Sequence, residues 1–168
     1  MIIWLYFILV FIVFILSIFF IFPWITGAPY EPTHKKQLKQ ILKFANIKKN
    51  DKIVDLGSGD GRLVIEFAKK GSNAYGFEIN PFLVLFSRIK IKKLGLEKNA
   101  TIYWKSFWKA DLSKYNIIVL FQFKTIIKSL QNKIIKESKT NTKIISNTWE
   151  FPKWKYKKRN GVYCYKIN

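Results

Sequence analysis

The sequence predicts an α/β protein with a mostly parallel sheet, a C-terminal antiparallel hairpin and one transmembrane helix ahead of the sheet. Short apolar runs alternate with helical periodicities over residues 52–146, which is typical of strands and helices that alternate along a parallel sheet. The last stretch alternates apolar and polar residues around Asn160-Gly161, a dipeptide typical of a tight hairpin turn. Residues 2–22 carry no charged side chain.

The uncharged N-terminal segment is long enough to cross a bilayer as a helix. Residues 2–22 would form a helix of about 32 Å, against about 30 Å of hydrocarbon. Trp4, Tyr6 and Trp24 lie near its ends, where aromatic rings favour the interface. A cleaved signal peptide would have a shorter apolar region and a basic start. The dense lysines begin at Lys35, so we expect a cytoplasmic domain and an external N-terminus.

The remainder divides into a connecting region and an α/β domain. Residues 26–33 hold two prolines and a glycine and are predicted to be extended, whereas residues 34–44 have helical spacing. We therefore predict an anchor (1–25), a linker with an N-terminal helix (26–50) and an α/β domain (51–168).

Local signals give the elements of the α/β domain. The apolar run 116–121 is typical of a central parallel strand. Asn80-Pro81 begins a helix, because asparagine caps free N–H groups and proline fits the first position. The predicted strands are 52–56, 74–77, 101–104, 116–121 and 143–146, the helices are 62–70, 80–95 and 126–135, and the hairpin is 154–167.

The net charge favours anionic partners. The 168 residues include 30 Lys and Arg against 10 Asp and Glu, a net charge of +20. Nucleic acid, acidic proteins and an anionic membrane surface all fit this balance. Arginine, which nucleic-acid binders use for bidentate contacts, occurs only at Arg62, Arg88 and Arg159. Compositional drift with attraction to the membrane surface is therefore favoured, and nucleic acid stays open. The single cysteine, Cys164, excludes an intramolecular disulfide, and no metal site is expected.

A glycine-rich motif, "IVDLGSGDGRL" at 53–63, follows the first predicted strand. Its glycines allow the backbone to turn sharply and to approach a ligand closely. Dinucleotide sites prefer a different glycine spacing, and a pyrophosphate would be repelled by acids. Asp55 and Asp60 instead suit a cationic ligand, such as the ammonium end of S-adenosylmethionine. Glu78 ends the second predicted strand, where its carboxylate can accept hydrogen bonds from ribose hydroxyls.

With these residues the sequence resembles the class I S-adenosylmethionine-dependent methyltransferases, which have a Rossmann-like sheet. More narrowly, it resembles the membrane-anchored protein-lysine methyltransferases that act on the c subunit of ATP synthase and on the adenine nucleotide translocase. The resemblance covers nearly the whole chain. The stretches that carry it are "GAPYEPT" (27–33), "DLGSGDGR" (55–62), "GFEINPFLV" (76–84), "SFWKADLSKY" (106–115) and "ISNTWEFPKW" (145–154).

The resemblance implies roles for particular residues. The motif that begins at Asp55 would hold the methionine part of the cofactor, and Glu78 the ribose. Ser106 and Phe107 would lie near the adenine, and Tyr30 and Thr33 over the cofactor. Glu31 departs from the small apolar residue common in the family, which bears on the substrate. The complete expected set is Asp55, Gly57, Ser58, Gly59, Asp60, Glu78, Ser106, Phe107, Tyr30 and Thr33.

Methyl transfer to lysine needs alignment and a deprotonated amine more than a protein nucleophile. We expect Phe121, Gln122 and Phe123, at the end of a central strand, to line the substrate channel. No residue is identified as a general base. A nucleic-acid methyltransferase remains an alternative, although Gln122-Phe123-Lys124 does not match the Asn/Asp-Pro-Pro-aromatic motif of base-amine methylases. A small-molecule or lipid methyltransferase is the third alternative.

Overall fold

A computed structural model of the protein describes residues 2–26 and 31–167, and the chain divides into two compact units between Glu31 and Pro32. In the first unit, helix α1 spans Ile2–Thr26. The side chains of α1 are described at residues 3–15 and 17. Within the described residues, no helix is long and apolar enough to cross a membrane. The predicted transmembrane anchor is therefore not confirmed.

The second unit contains a seven-stranded sheet in the order β3-β2-β1-β4-β5-β7-β6. Strands β1 to β5 are parallel, β7 runs antiparallel to β5, and β6 pairs antiparallel with β7. The predicted Rossmann-like sheet with its C-terminal antiparallel strands is confirmed. The strands are β1 Lys52–Leu56, β2 Asn73–Glu78, β3 Ala100–Trp104, β4 Ile117–Leu120, β5 Lys143–Asn147, β6 Lys157–Arg159 and β7 Val162–Lys166.

The helices of the second unit begin and end close to the predicted positions. The Asn80 side chain accepts hydrogen bonds from the backbone N–H groups of Phe82 (3.0 Å) and Leu83 (3.4 Å), so it caps helix α4 as expected. The helices are α2 Lys35–Ala45, α3 Arg62–Lys69, α4 Pro81–Lys93 and α5 Lys124–Glu137, with 3₁₀ turns at Phe107–Lys109 and Leu112–Lys114.

The sheet is covered on both faces, which explains the continuous apolar runs of its central strands. Helices α2, α3 and α4 pack on one face, where Ile53 and Val119 are buried. Helix α5 and the aromatic residues near the C-terminus pack on the other, around Val54 and Leu120. Successive strand residues point to opposite faces. Asp55 therefore shares the α2–α4 face with Ile53.

Candidate functional site

The glycine-rich turn lies at the carboxyl edge of the sheet, between β1 and α3. The backbone N–H groups of Gly57 and Ser58 both donate to the Phe77 carbonyl, at 2.9 and 3.0 Å, which ties the turn to the end of β2. Gly57 has φ of +85°, a conformation that side chains disfavour. A Cβ there would also collide with the Gln122 side-chain nitrogen. The positive φ requires glycine at this position, and relief of the contact would displace the flexible end of Gln122 from its hydrogen bond to the Leu56 carbonyl.

Glu78 is held in place by backbone donors. Its Oε2 accepts from the Gly59 N–H at 2.8 Å, and its Oε1 accepts from the Ile79 and Asn80 N–H groups, each at 2.8 Å. A carboxylate offers about four acceptor positions. The three backbone bonds therefore leave room on Oε2 for one more donor, such as a ribose hydroxyl.

Asp55 is buried, with 4% of its surface exposed, near the end of β1. Burial raises the pKa of this carboxyl well above its usual value, and the charges of Glu78 and Asp60 raise it further. A buried carboxylate is costly unless a cation compensates it. The ammonium group of S-adenosylmethionine would be such a cation, so its place beside Asp55 stays a prediction from the sequence.

Asp60 has two cations of the protein as partners. Its Oδ1 accepts from Arg62 Nε, and its Oδ2 from Lys90 Nζ, both at 2.9 Å. Burial would raise the pKa of Asp60, but these hydrogen bonds outweigh it and lower the pKa to about 2. The Arg62 guanidinium also donates to the Thr33 carbonyl at 3.1 Å. This cluster fixes Thr33 beside the start of α3.

The remaining predicted cofactor residues are Ser106 and Phe107, which follow β3, and Tyr30. The Lys105 N–H donates to the Glu78 carbonyl at 3.0 Å, so Ser106 follows directly beside the end of β2. Ser106 caps a 3₁₀ turn, and Phe107 is half-buried against the α5 face of the core. Tyr30 lies outside the residues that the structure describes.

The three channel candidates have different environments. Gln122 is buried, and its Nε2 donates to the Leu56 carbonyl at 2.6 Å, which links the ends of β4 and β1. Phe121 is half-buried, whereas Phe123 is exposed and precedes α5. Gln122 thus packs against the turn at Gly57 and also connects the two strand ends.

Asn147, the last residue of β5, is a polar group at this edge that the sequence did not predict. It is completely buried, and within the described residues neither its Oδ1 nor its Nδ2 makes a hydrogen bond. The Ser58 hydroxyl is also buried without a hydrogen-bond partner in the described part of the chain. A sequence signal was available, since Asn147 ends a buried apolar strand within "ISNTWEFPKW".

Comparison with known proteins places this site within one family. Residues 55–158 match the ANTKMT methyltransferase domain. The ATP synthase c-subunit lysine N-methyltransferase of Homo sapiens is 35% identical over 126 residues, 75% of this chain and 54% of that protein. The chain thus spans about half the length of such relatives. The protein-lysine N-methyltransferase of Saccharolobus islandicus (strain REY15A) is 31% identical over 133 residues, 78% of this chain and 83% of that protein.

A solved structure has the same fold. The RNA methyltransferase from Salinibacter ruber, in complex with S-adenosyl-L-homocysteine, superposes with a TM-score of 0.76 and 26% sequence identity. The match covers 82% of this chain and 94% of the other. The order and direction of the strands are therefore those of a fold that accommodates this nucleoside.

Proposed function

This chain belongs to the ANTKMT methyltransferase-domain family, and from that premise we propose that it methylates lysine side chains of protein substrates at or near a membrane, using S-adenosylmethionine. The match over residues 55–158 carries the proposal, because it begins at Asp55 and includes Glu78. Relatives that are about a third identical to this chain over the aligned residues are lysine N-methyltransferases.

Different residues at the carboxyl edge of the sheet would bind different parts of the cofactor. Asp55 would compensate the ammonium group, and Glu78 would accept from a ribose hydroxyl. Gly57 and Gly59 would allow close approach of the backbone, and the Ser58 hydroxyl, which has no hydrogen-bond partner among the described residues, would be a further donor. When bound, S-adenosylmethionine supplies a methyl group on a sulfonium sulfur, which is a good leaving group.

The protein must present the substrate lysine as a neutral amine. For a pKa near 10.4, deprotonation at pH 7 costs about 4.6 kcal/mol. An apolar enclosure favours the neutral form. The half-buried Phe121, at the end of β4, would supply part of that enclosure, and Phe123 would contribute on the exposed side.

Several surface features support a membrane-associated substrate. Helix α4 exposes Leu85, Phe86 and Ile89 together with the basic residues Lys92 and Lys93. Apolar and basic side chains on one helix favour contact with an anionic bilayer. The net charge of +20 acts in the same direction.

The proposal also includes a membrane-embedded N-terminal helix, with the catalytic unit in the cytoplasm. Residues 2–22 are uncharged, and every side chain from Ile3 to Ile15 is apolar or aromatic and exposed. Retention of the chain in the membrane fraction after alkaline carbonate extraction supports this placement. Recovery in the soluble fraction contradicts it.

An RNA substrate is the second candidate, because the Salinibacter ruber neighbour is an RNA methyltransferase and the chain is strongly basic. Exposed lysines would then contact phosphates. The scarcity of arginine and the exposed apolar residues of α4 favour protein over RNA.

Methyl transfer from labelled cofactor tests these alternatives directly. The full chain in detergent is incubated with the purified c subunit of ATP synthase or with total RNA. The product is then treated with protease or ribonuclease. We expect label in the protein and methyl-lysine by mass spectrometry. Label that ribonuclease removes would establish the RNA alternative.

Glu78→Ala is the inactive control for this experiment. Glu66→Ala is the matched variant, because Glu66 pairs with Lys69 on α3 and is not one of the predicted cofactor residues. Full activity of Glu66→Ala and loss in Glu78→Ala would assign the labelling to this site.

A further inference from the structure

We propose that Asn147 binds the substrate amine, with its Oδ1 accepting a hydrogen bond from the neutral lysine nitrogen. This inference rests on the proposed lysine methyltransferase function. It assigns to the end of β5 a role that the glycine motif and Glu78 do not fill.

The first support is the state of the Asn147 side chain. It is completely buried, yet neither amide atom has a hydrogen-bond partner in the described residues. Most buried polar side chains in proteins are hydrogen-bonded, and an unpartnered amide destabilises the fold. Leucine has the same number and branching of side-chain heavy atoms and would avoid that penalty. A buried amide at this position is therefore explained by a ligand that uses it.

The second support is the position of Asn147 relative to Asp55. In the sheet register, Asp55 pairs with Val119, and Val119 pairs with Ile145. Residues in register share a face, and so do residues two apart on one strand, so Asn147 lies on the face of Asp55. Two strand spacings and two residues place the Cα atoms of Asp55 and Asn147 roughly 12 Å apart. The amide is thus near the predicted cofactor site without being part of it.

The backbone after Asn147 is held in an unusual conformation. Thr148 has φ of +75°, which is rare for a β-branched residue, and its N–H donates to the Gly161 carbonyl at 2.9 Å. The Trp149 N–H donates to the Asn147 carbonyl at 3.0 Å. Strained backbone of this kind persists where the surroundings fix it, and it clusters at functional sites.

An amide suits the chemistry better than a carboxylate would. A carboxylate beside the nitrogen would stabilise the ammonium form and raise the pKa of the lysine. The amide oxygen accepts an N–H without that cost and leaves the lone pair free. The lone pair forms the new N–C bond while the C–S bond breaks, its electron pair stays on sulfur, and the nitrogen then loses a proton to solvent.

The number of N–H groups on the amine gives the proposal a distinctive consequence. A neutral lysine has two, a monomethyl-lysine has one, and a dimethyl-lysine has none. Asn147 can therefore assist the first two transfers but has nothing to accept from in the third. A purely structural role would affect all three transfers alike.

The test compares the full-length wild type with Asn147→Leu on two substrates. One is the c subunit of ATP synthase, and the other is the same subunit after reductive dimethylation of its lysines. We expect kcat/KM on the unmodified protein to fall at least tenfold. On the dimethylated protein the variant should match the wild type. Affinity for S-adenosylhomocysteine, measured by calorimetry, should stay within twofold, and the Tm should not fall.

Thr142→Val is the matched control, because Thr142 is a buried polar residue just before the opposite end of β5. It should keep full activity on both substrates. Unchanged kcat/KM of Asn147→Leu on unmodified protein overturns the proposal, as does an equal loss on both substrates or a large fall in cofactor affinity. If the wild type labels no lysine at all, the proposed function fails first.

Discussion

The carboxylate of Glu78 accepts a hydrogen bond from the backbone N–H of Gly59 at 2.8 Å, across 19 residues of sequence. This bond connects the end of β2 to the glycine-rich turn that follows β1. The acid expected to hold the ribose therefore also shapes the loop expected to hold the methionine part. One side chain thus couples the two parts of the expected cofactor site.

Replacement of Glu78 should weaken cofactor binding. Glu78→Ala removes the free acceptor position on Oε2 and leaves the Gly59 N–H without its partner. We expect affinity for S-adenosylhomocysteine to fall about tenfold or more, which corresponds to about 1.4 kcal/mol. Isothermal titration calorimetry measures the change, with Glu66→Ala as the surface control. Unchanged affinity in Glu78→Ala would refute the ribose assignment.

Asp55→Asn should stabilise the protein and weaken cofactor binding. Because the pKa of Asp55 is raised in the fold, the unfolded chain loses this proton more readily, and stability falls as pH rises from about 4. The amide removes that cost at neutral pH but cannot compensate an ammonium group. We expect a higher Tm at pH 7 together with lower affinity for S-adenosylhomocysteine. A lower Tm, or unchanged affinity, contradicts the assignment.

Asp60 should have the opposite effect on the pH dependence of stability. Its pKa is lowered from 3.8 to about 2, so its ion pairs stabilise the fold above about pH 4 and are lost as pH falls through 2. Lys90→Met removes one partner of the carboxylate. In urea titrations from pH 5 to pH 2, the wild type should lose more stability than Lys90→Met. Parallel curves would show that the Lys90 pair contributes nothing.

Local signals in the sequence were sufficient to predict the strands and helices of the α/β unit. The Asn80 cap and the turn at Asn160-Gly161, with φ of 51° and 74°, depend on residues adjacent in sequence, and both were predicted. Pairings between distant residues were not predicted. Lys90 reaches Asp60 because α4 passes the glycine-rich turn, where Ser87 lies against Gly61. The Asn147 amide, which has no hydrogen-bond partner among the described residues, is recognised only once its surroundings are known.

The packing of Gln122 against Gly57 allows two costs of replacing the glycine to be measured separately. They are the steric collision and the positive φ. Gly57→Ala places a Cβ against the Gln122 side-chain nitrogen and forces alanine into φ of +85°. The left-handed conformation alone costs about 1–2 kcal/mol. The double variant Gly57→Ala/Gln122→Ala removes the collision but keeps the conformational cost. In urea denaturation we expect it to lose less stability than the sum of the two single variants, with a coupling of about 0.5–3 kcal/mol. Strict additivity would mean that the two side chains do not meet in solution.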